Sequence, residues 1–192
     1  MSHPHPIVPS DVDLRDFQYM ELDVQRLRDS RFAAQSSGEA FRAGLLLWCA
    51  SWHQVPAASL PGDDIELSVL AGYGRVVREW QAVKDEALHG FVLCSDGRWY
   101  HPVIALKALG AWEAKRRHAH GKFAERMRKE NKARAEKGQG PVEIPTFEEW
   151  NSAGKSDSSA GNSVGWRSAA WPCASSERRD ACLSGNWRSA WG

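Results

Sequence analysis

The 192-residue sequence has no long apolar run. Its longest, Gly44 to Ala50, falls far short of the roughly 20 residues that a membrane-spanning helix needs. The first residues, MSHPHPIVPSDVD, contain neither a basic region nor an apolar stretch of the signal-peptide kind, so a cytoplasmic location without membrane contact is expected. Cys49, Cys94, Cys173 and Cys182 form no CxxC pair and have no histidines at ligand spacing, which excludes the usual zinc patterns. Cys49 in an apolar helix and Cys94 in a strand read as buried free thiols. There is no phosphate-binding P-loop, GxSxG, HExxH or DFG-like set. The acidic pairs Asp63-Asp64, Asp85-Glu86 and Glu148-Glu149 suit capping and solvation better than catalysis. The chain reads as a non-enzyme with no cofactor.

Charge is abundant but balanced, at a formal net of +1. The balance hides a division. Residues 1–112 carry 10 basic and 14 acidic side chains, residues 113–137 carry 10 and 4, and residues 138–192 carry 5 and 6. A mildly acidic domain, a basic segment and a near-neutral tail follow one another.

The organising stretch is LPGDDIELSVLAGYGRVVREWQAVKDEALHGFVLCSDGRWY, Leu60 to Tyr100. Asp63 and Glu66 have capping-box spacing, so a helix is expected from about Asp64. Gly72 and Gly74 break it. A second helix, Arg75 to Leu88, places Val76, Trp80, Val83 and Ala87 on one face and ends near Gly90. Two short β-type runs flank Asp96-Gly97, a hairpin signal. Upstream, Phe41, Leu45, Trp48 and Trp52 form the apolar face of a helix from Ser36 to His53 that Ser36 or Ser37 caps and Pro56 stops. Phe17, Tyr19, Met20 and Leu22 are expected to reach the core. LRDSRF (Leu27 to Phe32) and VPAASLP (Val55 to Pro61) read as turns. A last helix should run from Val103 to about Lys137, although only Phe123 and Met127 continue its apolar face beyond Trp112.

These signals give a mainly α chain with a small β-hairpin: a flexible N-terminus over 1–16, a winged-helix-like domain over 17–112, a long basic C-terminal helix over 113–137, and a linker and low-complexity disordered tail over 138–192. Helix, turn, helix, hairpin is the order of a domain that lays its second helix in the major groove of duplex DNA. That helix offers Arg75, Arg78, Gln81 and Lys84, but Glu79, Asp85 and Glu86 bring its net charge to zero. Arg98 is the candidate wing contact. Lys115, Arg116, Arg117, Lys122, Arg126, Arg128, Lys129, Lys132, Arg134 and Lys137 form a sequence-independent backbone grip, with a solvated basic helix as the competing reading. Phe147 and Trp150 are candidate anchors for a protein partner. The tail repeats Trp-Arg-Ser-Ala, as WRSAAW at 166–171 and WRSAW at 187–191.

The motifs LRDSRF, SGEAFRAGLLLWCASWHQVPAASLPGDD, LAGYG, the tryptophan of REW, and FVLCSDGRWYHP make the stretch from Asp13 to Lys137 resemble the YdaU-like prophage family, a domain of unknown function. The resemblance implies a winged-helix-like fold among phage replication genes and a part in replication initiation or helicase loading. DNA, duplex or single-stranded, would be one partner, and a replicative helicase or its loader, reached through the tail, another. The family's usual Asn-Arg-Leu after the hairpin tryptophan is Tyr100-His101-Pro102 here, which leaves Arg98 as the wing cation. A winged-helix transcriptional regulator and a replisome interaction module that never touches DNA remain the alternatives.

Overall fold

The structure, a computed structural model, describes residues 3–153. The expected disordered tail beyond residue 153, with Trp166, Trp171, Trp187 and Trp191, lies outside them. The elements in order are α1 (Val24–Arg28), α2 (Arg31–Gln35), α3 (Gly38–Trp52), β1 (Ser59–Leu60), α4 (Asp64–Leu70), α5 (Val77–Ala87), β2 (Val92–Leu93), β3 (Trp99–Tyr100), α6 (Pro102–Glu136) and α7 (Phe147–Ser152). The chain is mainly helical with one small antiparallel sheet. Two compact units divide the described residues within α6, one up to His118 and one from Ala119 on.

In the first unit, local chemistry sets the helix starts. The Ser37 hydroxyl accepts from the Ala40 N–H at the head of α3. The Asp63 carboxylate accepts from the N–H groups of Ile65 and Glu66, satisfying two donors that α4 leaves open. Gly72 and Gly74, at φ 86° and 61°, then carry the chain through a turn into α5 in a conformation that costs glycine little. Gly44 permits the close approach of α3 and α5: a Cβ there would lie 2.4 Å from Phe32 Cζ and 2.9 Å from the Ala87 carbonyl oxygen. Trp48, Trp52, Leu67, Trp80 and Phe32 fill the core between these helices.

The hairpin forms about Asp96-Gly97, with Val92 opposite Tyr100 and Leu93 opposite Trp99. The sequence did not reveal a third strand. Ser59–Leu60, at the end of the presumed turn, pairs antiparallel with β3, giving the order β1-β3-β2. Two residues are too few to show the alternation that marks a strand.

Several expectations need correcting. The proline-rich start is not wholly exposed. Val8, Val12 and Leu14 are buried in the core, and backbone bonds from Ser95 N–H to the Pro4 carbonyl and from Ala57 N–H to the Val12 carbonyl hold the segment down. Conversely Tyr19 is 80% exposed and Leu22 43%, while Phe17 and Met20 pack against the core as expected. LRDSRF is not a simple turn: it ends α1 and starts α2, with Ser30 capping α2 and Phe32 buried. Cys49 is exposed on α3, whereas Cys94 is buried.

In the second unit, the later part of α6 is followed by an extended segment and by α7. Thr146 caps α7 through a reciprocal capping box with Glu149.

Candidate nucleic-acid interface

The first-unit candidates surround α4 and α5. Arg75, Arg78 and Gln81 are exposed at the start of α5. Lys84 is different: its ammonium contacts Asp64 Oδ1 at 2.5 Å and both side chains are half-buried, so it ties α5 to α4. Glu86, near the end of α5, accepts from the Ser37 N–H at 2.9 Å across the α3 N-terminus. The balanced charge of the stretch from Arg75 to Leu88 is therefore partitioned. Lys84 and Glu86 hold neighbouring helices, while Arg75, Arg78 and Glu79 are exposed to solvent.

Tyr73, in the turn before α5, donates to Glu39 Oε2 at 3.2 Å, and the Arg42 guanidinium lies 5.3 Å from its ring centre. Burial, followed by the Glu39 carboxylate, raises the Tyr73 hydroxyl above its ordinary pKa. Arg98 does not project from the hairpin. Its Nε donates to Ser59 Oγ at 2.9 Å and its Nη2 to Gln54 Oε1 at 3.3 Å, bonding the hairpin to β1 and the loop before it. The Tyr100 hydroxyl donates to Asp96 at 2.7 Å, and burial raises its pKa. His101 is fully buried between the rings of Trp48 and Phe91, at centroid distances of 4.9 and 5.0 Å. Desolvation lowers its pKa to about 3, so it stays neutral.

The ten basic residues of 113–137 do not form one surface. Lys115 donates to the Asp13 carbonyl at 2.9 Å and to Asp16 Oδ1 at 2.6 Å, lying near the rings of Phe17 and Trp112. Arg116, with a side chain 14% exposed, pairs with Asp11 at 3.8 Å. Arg117 bonds Glu113 one turn back. Lys115 and Arg116 thus fasten α6 to the N-terminal segment, while Arg117 is exposed.

In the second unit, Lys122, Arg128, Lys132 and Lys137 are exposed and make no ion pair among the described residues. Lys129 pairs with Glu125 on the solvated surface, and Arg126 lies 5.6 Å from the Phe123 ring centre. Arg134 donates to the Gly140 carbonyl at 3.0 Å. Phe147 and Trp150, read from sequence as partner anchors, pack inside the chain instead. Trp150 is 2% exposed, with the rings of His120 and Phe123 at 5.7 and 6.4 Å, and Phe147 meets His120 edge-on at 5.8 Å.

Sequence reasoning missed the groups that hold this arrangement: Asn131, which exchanges two 2.7 Å bonds with the Val142 backbone, and His120, bonded to the Pro145 carbonyl at 2.9 Å. The signal was present. His120, Phe123, Ala124, Met127, Asn131 and Arg134 recur at three- and four-residue spacing, a mixed polar and apolar stripe.

Residues 18–108 match the family of proteins of unknown function DUF1376. The matched span runs from just before α1 through the sheet into the first turns of α6. No curated protein and no solved structure matches the chain. Among the described residues no helix is long and apolar enough to cross a membrane, and no group of His, Cys, Asp and Glu side chains is arranged to hold a metal ion.

Proposed function

We propose that this chain is a DNA-binding protein of the YdaU-like prophage kind, built on a winged-helix module and acting in replication initiation or helicase loading. The observation that carries the reading is the element order α3-β1-α4-α5-β2-β3 with sheet order β1-β3-β2. This is a helix-turn-helix followed by a hairpin whose second strand is also paired to a strand from between the first helices. In such a module the second helix of the turn enters the major groove. Here that helix is α5, and the exposed residues Arg75, just before it, and Arg78 and Gln81 within it are of the types that read guanine and adenine edges or hold phosphates. A replicative helicase or loader is the proposed partner of the tail.

The test is fluorescence anisotropy of the full chain on labelled duplex and single strands at low salt. Duplex binding is expected, with a loss of roughly tenfold in Arg75→Ala/Arg78→Ala. No binding to either form would overturn the reading. A docking module without DNA contact is the second reading, favoured by the internal bonds of Lys84 and Arg98. It gains if the helicase is captured while DNA is not.

A further inference from the structure

The later part of α6 has two opposite faces. At 100° per residue, His120, Phe123, Ala124, Met127, Asn131 and Arg134 fall within a narrow arc. All six are buried or half-buried. The segment 139–152 runs back along this arc, bonded in succession by Arg134 to the Gly140 carbonyl, by Asn131 to both backbone groups of Val142 and by His120 to the Pro145 carbonyl. It ends on the buried Trp150.

The other arc carries Lys122, Arg126, Arg128, Lys129 and Lys132, every one exposed, with Glu125 among them, 2.9 Å from Lys129. From Lys122 to Lys132 the ridge is about 15 Å long at a helix rise of about 1.5 Å per residue. With one phosphate per roughly 3.4 Å of duplex axis on each strand, that length faces about four phosphates of one strand.

We infer that residues 119–152 form a braced cationic ridge for a nucleic-acid backbone, in which the 139–152 strap, fastened by Trp150, is the positioning element. The inference rests on the DNA reading above and deepens it. A basic helix with no apolar face is marginal alone in water. The strap supplies the missing face on the side away from the charges, so the ridge meets its ligand already ordered and the ordering cost of binding falls. Trp150 touches no ligand in this arrangement. The ridge reads no bases, because ammonium and guanidinium contacts to phosphate carry no sequence information.

The experiment uses the full chain and a labelled 20-base-pair duplex across a salt series, with hydrogen exchange of residues 119–136 followed in parallel. Lys122→Gln/Arg128→Gln/Lys129→Gln/Lys132→Gln should flatten the log–log salt slope by about 3 and weaken binding roughly 100-fold at low salt. Trp150→Ala should speed exchange over 119–136 and weaken binding roughly tenfold with the slope kept, and Trp150→Phe should restore most of both. A wild-type slope in the fourfold variant, together with weakened binding in Arg75→Ala/Arg78→Ala, would overturn the ridge while leaving the DNA reading intact. Fast exchange in Trp150→Ala at wild-type affinity, or slow exchange unchanged by that substitution, would overturn the strap's role. Failure of the unsubstituted chain to bind duplex at low salt would overturn the DNA reading and the ridge together.

Discussion

The helix α6 is continuous, yet its basic residues belong to two different settings. Before His118 three cations meet acids that lie about a hundred positions earlier, Lys107 with Glu21, Lys115 with Asp16 and Arg116 with Asp11, while Arg117 pairs with Glu113 one turn back. Beyond Ala119 most of the same residue types are exposed, Lys129 pairing only with Glu125 one turn away, and the stripe that includes Arg134 is covered by a strap from downstream. A run that reads as one basic segment in sequence is thus partly a fastening and partly a display. What separates the two roles is an acid brought in from far upstream, which local composition does not reveal.

The largest effect should come from the tryptophans, and it should be unequal. Trp80 is completely buried at the centre of the first unit. Trp80→Ala is expected to cost about 3–5 kcal/mol and to abolish the cooperative unfolding of that unit at 37 °C, measured by urea titration. Trp150→Ala should leave that transition in place and loosen only residues 119–152. A coincident loss in both would break the comparison.

The second test uses pH. His101 is held neutral in the fold, with its pKa depressed to about 3 from an ordinary 6.5. Above pH 6.5 both folded and unfolded chains carry it neutral and stability is complete. Below 6.5 the unfolded chain takes up a proton that the folded one refuses, so stability falls by about 1.4 kcal/mol per pH unit until the pH approaches 3. His101→Phe should flatten that slope, seen as urea midpoints between pH 7 and 4.5.

The smallest effect sharpens the contrast within α6. Lys115→Met removes the donor to Asp13 and Asp16 and should lower first-unit stability by about 1–2 kcal/mol. Lys132→Met should leave stability within about 0.5 kcal/mol of the parent. Equal losses would mean that the two halves of the helix are not distinct.

Much of the frame was legible in the sequence because its signals are short-range. The Asp63 cap, the Gly72 and Gly74 turn, the Asp96-Gly97 hairpin and the apolar face of α3 each rest on residues within a few positions of one another. The expected span of the last helix, Val103 to about Lys137, lies within one residue of α6 at each end. What escaped was decided at long range. Ser59–Leu60 becomes a strand only because Trp99–Tyr100 arrives beside it. Val8, Val12 and Leu14 are isolated apolar residues in a polar, proline-rich run and carry no periodicity, yet all three are buried. Arg98 looked free because its acceptors, Ser59 and Gln54, lie about forty positions away. Trp150 looked like an anchor for another protein because its ring partners His120 and Phe123 stand well upstream.

The burial of the first residues bears on where the domain ends as a physical object. The family match begins at residue 18, but the hydrophobic interior closes only with Val8, Val12 and Leu14. A fragment cut at the similarity edge would open that interior to water and leave the backbone N–H groups of Ala57 and Ser95 without their carbonyl acceptors. The edge of resemblance and the edge of the folding unit are different boundaries here, and the second lies closer to the N-terminus.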